Sequence, residues 1–163
     1  MGLKESGLRG SLRNVSVGIS AIPDTSVSRP DDDDAVETPN EEGIRMETNV
    51  VWPEIDCRLS NLVENQTRCQ VFRAVENDDD VLIGEEDISS INALDIFTVD
   101  LTEDIVSDEE YEFIVGAEGS EYTLGRLEDP DYPYVSDDGD ISLIGGAKGS
   151  GRASNILEIG NLR

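Results

Sequence analysis

From residue 49 onward the chain is cut into short pieces, and that spacing leaves little room for anything but strands. Apolar and β-branched runs occupy 50–59, 68–75, 80–84, 96–101, 111–115, 122–127, 141–144 and 156–159. Between them lie turn clusters such as "ENDDD", "GAEGSE" and "GGAKGSGRAS". Alternation in "YEFIV" and "ISLI" directs apolar side chains to one face of a pleated strand. Helical periodicity never extends past about ten residues, and "DISSINALDI" is long enough only for a short helical turn. Short strands at this spacing predict an all-β domain, an antiparallel jelly-roll-like β-sandwich. With 37% hydrophobic residues, three Phe and one Trp, the chain can build a core over only part of its 163 residues.

Charge divides the chain. Asp and Glu number 37, Lys and Arg 12, His none, for a formal net charge of -25. Only Lys4 and Lys148 are lysines; the other basic residues are arginines. An acidic, lysine-poor surface suits molar salt, where the Debye length falls to about 3 Å and carboxylate repulsion is screened. The same charge argues against a nucleic-acid partner, whose phosphates require basic surface. The sequence holds no apolar run approaching the roughly 18 residues of a membrane span, and the opening residues have no apolar stretch of the secretory type. Synthesis and retention in the cytoplasm, or release inside a particle, are the expectations.

The first segment reverses the sign. Residues 1–24, "MGLKESGLRGSLRNVSVGISAIPD", hold Lys4, Arg9 and Arg13 against Glu5 and the terminal Asp24. Leu3, Leu8, Leu12, Val15 and Ile19 punctuate this glycine- and serine-rich stretch, and Val15, Val17 and Ile19 alternate as in a strand. A piece this short cannot bury its own apolar groups, so the expectation is an N-terminal attachment arm that docks on a partner. Residues 25–48, with two prolines and four consecutive aspartates, read as an acidic, extended, solvated linker. Residues 49–163 form the β-sandwich domain.

Chemistry is sparse. Without histidine, Ser-His and Cys-His nucleophile systems are excluded, and carboxylates are too numerous for any pair to stand out as a glycosidase site. The expectation is a non-enzymatic protein with no organic cofactor. "GAKGSG" lacks the order of a phosphate-binding loop. Asp137, Asp138 and Asp140 are candidate ligands for a structural Ca2+ or Mg2+, although "DDGD" lacks the calcium-loop register and its closing Glu. Cys57 and Cys69 are equidistant from Val63; a hairpin centred there would place them opposite each other, as a disulfide or as two buried thiols. Asn14 and Asn65 each begin a glycosylation sequon. In "DPDYPYV", Tyr132 and Tyr134 beside Asp131 admit two readings: stacking and hydrogen bonding to a glycan, or a proline-fixed loop whose rings cover a sheet edge.

The opening segment "MGLKESGLRGSLRNVSVGISAIPD" resembles the N-terminal segment of structural proteins of haloarchaeal tailed viruses and proviruses, several of them tail-fibre- or adhesin-like. The stretch "YEFIVGAEGSEYTLGRLEDPDYPYVSDDGDISLIGGAKGSGRASNILEIGNLR" is similar, more loosely, to glycine-rich β-domains of the same group. The resemblance implies a virion protein assembled in the host cytoplasm, a tail-fibre or baseplate-associated adsorption component. Leu3, Lys4, Leu8, Arg9, Leu12, Arg13, Val15 and Ile19 would dock it on other virion proteins. It implies a homotrimer and a host surface glycan or S-layer as target. A capsid vertex or turret decoration is the alternative within the same kind of virus. A halophilic carbohydrate-binding module is the alternative of another class.

Overall fold

The structure, a computed structural model, describes residues 21–163. The expected all-β, antiparallel, sandwich-like architecture is present. Its strands in chain order are β1 (Ser26–Ser28), β2 (Asp34–Thr38), β3 (Glu42–Thr48), β4 (Trp52–Leu59), β5 (Arg68–Arg73), β6 (Val81–Asp87) and β7 (Ile96–Ile105). They continue with β8 (Tyr111–Gly116), β9 (Tyr122–Leu127), β10 (Tyr134–Val135), β11 (Ile141–Gly146), β12 (Ala153–Ser154) and β13 (Ile156–Gly160). Every strand read from the sequence is found. The stretch expected as a helical turn instead makes two reverse turns, Ile91 N–H donating to the Ile88 carbonyl at 3.0 Å and Asp95 N–H to that of Asn92 at 3.0 Å.

One sheet runs β1-β13-β4-β7-β6-β5-β8-β3-β11-β10, and it curls until its ends nearly meet. The two opposed faces of the sandwich are therefore the β1-β13-β4-β7 half and the β6-β5-β8-β3-β11-β10 half. They join through a single register pair, Gly84 with Leu101. A Cβ at Gly84 would sit 2.9 Å from both Leu101 Cδ2 and Val99 Cγ1, so glycine is what lets the strands turn this corner. A second sheet, β12-β9-β2, lies beside the first.

The core fills the space between the halves. Ile44, Met46, Trp52, Ile55, Leu59, Val71, Ile83, Val99, Phe113, Val115, Ile141, Leu143 and Ile156 are all buried in it. Strand β8 is covered on both sides by β5 and β3 and is buried at every residue. Its one carboxylate, Glu112, is satisfied by Arg45 Nη2 at 2.8 Å and the Lys148 amide at 2.7 Å. Trp52 donates its indole N–H to Thr48 Oγ1 at 3.1 Å.

Residues 25–48 are not a linker. They supply β1, β2 and β3, and Val27, Ile44 and Met46 sit in the core. In β3 the alternation Ile44, Met46, Thr48 inward and Arg45, Glu47 outward is a strand pattern carried by few apolar residues. Strand β2 is held through its backbone by β9, from Asp34 opposite Arg126 to Thr38 opposite Tyr122, so its acidic side chains can face solvent. The attachment arm expected over 1–24 lies outside the described residues up to position 20. Ile22 packs against the core.

Candidate functional site

The ends of the large sheet meet along a polar seam. Thr25, just ahead of β1, donates its hydroxyl to Asp138 Oδ1 at 2.7 Å, and Ser136 Oγ donates to the same oxygen at 2.7 Å. The Asp140 amide adds a third donor at 3.1 Å. These hydrogen bonds, that of Thr25 foremost, hold the Asp138 carboxyl below its ordinary range. A cleft of about 260 Å³ opens here between Asp24, Thr25, Ser26, Asp137, Asp138 and Asn161.

The metal candidates are not gathered into one shell. Asp138 is committed to the seam, while Asp140 lines a separate cleft with Glu47, Asn49 and Asp108. Among the described residues no group of three or more His, Cys, Asp or Glu is placed to hold a metal ion.

Beside the seam, Tyr132 and Tyr134 stand edge to face with centroids 5.6 Å apart, both half-buried against the core. Tyr132 donates its hydroxyl to the Arg152 carbonyl at 3.3 Å, and burial pushes its phenol up to about 12. The Tyr134 oxygen accepts the Asp131 amide at 2.7 Å, leaving the Asp131 side chain exposed. Both hydroxyls are engaged within the protein. Of the two readings of "DPDYPYV", this geometry favours rings that cover the sheet edge at β10.

Cys57 and Cys69 are free, buried thiols. The expected hairpin does not exist: β4 lies between β13 and β7, whereas β5 lies between β6 and β8. Residues 60–67 instead carry the chain from one half of the sheet to the other. Burial pushes both thiols up, Cys57 well above its usual value. Asn65 is exposed in a left-handed turn, φ 65°. Leu3, Lys4, Leu8, Arg9, Leu12, Arg13, Val15, Ile19 and Asn14 lie outside the described residues.

One polar centre has no sequence signature. Arg29 and Asp32 form an ion pair at 2.8 Å with both side chains fully buried. Arg29 Nε donates to the Ile156 carbonyl at 2.7 Å, and Ser60 Oγ donates to Asp32. Burial outweighs the attraction of Arg29 and raises the Asp32 carboxyl to about 6. Strand β9 approaches so closely that a Cβ at Gly125 would fall 3.1 Å from Leu62 Cβ and overlap Asp32 and Ser60. Next to it Asn155, also left-handed, donates to the Glu42 carbonyl at 2.6 Å, the Tyr122 hydroxyl at 3.1 Å and the Val115 carbonyl at 3.3 Å. These residues tie the small sheet to the large one. In sequence Asp32 is one of four identical aspartates; burial alone distinguishes it.

The surface follows one rule. Each arginine of the described residues is in an ion pair, and several draw together carboxylates of different strands or loops. Arg68 reaches Glu41 at 2.9 Å, Glu118 at 3.4 Å and Glu85 at 3.8 Å. Arg73 joins Glu103 at 2.7 Å to Glu109 at 3.7 Å, and Arg126 joins Asp34 to Glu128. Arg163 contacts Glu54 and buried Asp56. No helix among the described residues is long and apolar enough to cross a membrane. Comparison with family models, curated proteins and solved structures finds no match.

Proposed function

We propose that this chain is a non-enzymatic virion structural protein of a haloarchaeal tailed virus, an adsorption component of the tail fibre or baseplate. The arm at 1–24 attaches it and the β domain projects. One observation carries this reading: the arginines of the domain are already paired within it, while a segment of opposite charge precedes it. A basic, apolar-punctuated segment ahead of a domain with a core of its own is suited to attachment on an acid-rich partner. Exposed charge pairs contribute little in molar salt. The leucines, Val15 and Ile19 therefore supply most of the docking energy, on the order of 1.5–3 kcal/mol for each side chain buried, before ordering costs. The engaged hydroxyls of Tyr132 and Tyr134 lend no support to a carbohydrate-binding module.

The test is deletion of residues 1–20, which spares Ile22 and β1. In molar KCl the shortened chain is expected to keep its β-sheet circular dichroism and to be missing from purified particles that contain the full chain. Incorporation at the level of the full chain would overturn the proposal.

A further inference from the structure

Carboxylates crowd the clefts of this surface. The seam cleft holds Asp24, Asp137 and Asp138, and the cleft beside Arg68 holds Glu85, Glu86 and Glu118. One cleft differs. It has a volume of about 440 Å³, opens between the crossover at 60–67 and the loop at 88–94, and has Glu64 as its single charged wall residue. The sequence carries the same contrast: "LSNLV" (59–63) and "ISSINAL" (88–94) hold no charge in a chain whose net charge is -25.

The walls are fixed by contacts within the protein. Gln66 donates its side-chain amide to the Ile88 carbonyl at 3.3 Å and to that of Ile91. The Ile88 N–H donates to the Thr67 carbonyl at 3.0 Å, so crossover and loop are tied together. Glu64 and Thr123 exchange both main-chain hydrogen bonds, at 3.3 and 2.8 Å, which pins the crossover to β9. At the end of the loop Leu94 takes a left-handed backbone, φ 69°, a costly conformation for a side chain with a Cβ. Arg58 Nη1 holds its carbonyl there at 2.9 Å, and the leucine side chain is left exposed. A cleft of this size with walls already in place is of the kind that binds small molecules.

Its chemistry narrows the ligand. Val63 and Ile91 contribute apolar wall, and Asn65, Asn92 and Ser89 are exposed around them. Each asparagine amide can both donate and accept. Gln66 also lines the cleft, is 4% exposed, and its Oε1 has no donor among the described residues. No arginine or lysine lines the cleft to meet an anion, and one carboxylate is too few for a metal ion. These walls match a ligand that is uncharged, rich in hydroxyls and apolar on one face.

We propose that this cleft binds a neutral sugar residue, its C–H face against Ile91 and its hydroxyls on the amides of Asn65 and Asn92. The site uses none of the tyrosine-loop residues, and the inference does not rest on the virion reading.

The test follows amide NMR shifts of the full chain in molar KCl during titration with glucose, galactose, mannose and N-acetylglucosamine, each free and as its methyl glycoside. At least one is expected to shift Gln66, Ser89 and Asn92 saturably, with a Kd of about 1–10 mM. Asn65→Gly, which keeps the left-handed backbone accessible, combined with Asn92→Ala is expected to weaken that binding about tenfold with no change in circular dichroism. A free sugar that binds while its methyl glycoside does not would mark a soluble saccharide as the ligand; binding of the glycoside as well would mark the end of a glycan chain. No saturable shift with any compound, or an affinity that the double variant leaves unchanged, would overturn the inference. So would broadening of these resonances with rising chain concentration in place of sugar shifts, which would assign the cleft to a protein contact. A chain that binds no sugar yet still needs residues 1–20 to enter particles would lose only this inference.

Discussion

The two sheets are held by different means. The large sheet encloses an apolar interior in which Trp52, Phe113 and Ile44 are fully buried. Beneath the small sheet the separate apolar cluster is only Ala117, Tyr122 and Leu124, and polar groups complete the attachment: the Arg29–Asp32 pair with Ser60, and Asn155. Apolar contacts are non-directional and do not depend on the protonation of any one partner. Buried ionic and amide contacts fix a unique arrangement but depend on both partners being present and correctly protonated. A chain with so little apolar material concentrates it in one sheet and docks the other with polar groups.

The sharpest way to break this contrast is to remove one partner of the buried pair and one large core ring. Phe113→Ala is expected to cost about 3–5 kcal/mol and to weaken both sheets together, measured by denaturant unfolding in molar salt. Arg29→Met, which strands Asp32 without its cation, is expected to cost a similar ~3–5 kcal/mol. Its loss should appear first as faster amide exchange in β2 and β9. The double change Arg29→Met with Asp32→Leu is expected to recover most of it; equal losses in the single and double variants would refute a stabilising role for the pairing.

Acidity separates the sheets next. The Asp32 carboxyl titrates near 6 when folded and near 3.8 as a free group, so the folded chain holds that proton more tightly. The small-sheet attachment should therefore strengthen as pH falls from 7 to 5, by roughly 1 kcal/mol. Asp32→Asn should abolish this slope in thermal melts. Asp138, Asp87 and Glu41 have lowered values and act in the opposite sense, their contribution being lost as pH falls through their folded values, below the usual carboxylate range. Stability should thus pass through a maximum in mild acid.

The smallest effect belongs to the seam. Thr25→Val removes one of three donors to Asp138 and is expected to cost about 0.5–1.5 kcal/mol, with the Asp138 carboxyl titrating higher by NMR.

Much of the fold was legible because alternation and turn clusters report directly on strands. The strands at 68–73, 111–116 and 122–127 were readable from β-branched and aromatic residues alone. Strands β2 and β3 were hidden because a strand can be held by its neighbours' backbone while its side chains remain acidic; "DAVET" and "EGIRMET" resemble solvated linker for that reason. The cysteine spacing misled because symmetry about Val63 implies a hairpin only if the chain turns back on itself, and residues 60–67 cross to the opposite half instead. The Arg29–Asp32 and Asn155 centre was illegible: nothing local marks one aspartate of four, or one asparagine, as buried. The same holds for the tyrosine loop, whose composition is compatible with a ligand as well as with a sheet edge until the hydroxyls find partners.

The two buried sulfurs give the protein a pair of built-in clocks. Cys57 lies in the β1-β13-β4-β7 half and Cys69 in the other, and both are buried in the one interior that the halves enclose. Synchronous labelling would mark halves that swing apart at the Gly84 corner and open that interior at once; staggered labelling would mark strands that open one at a time.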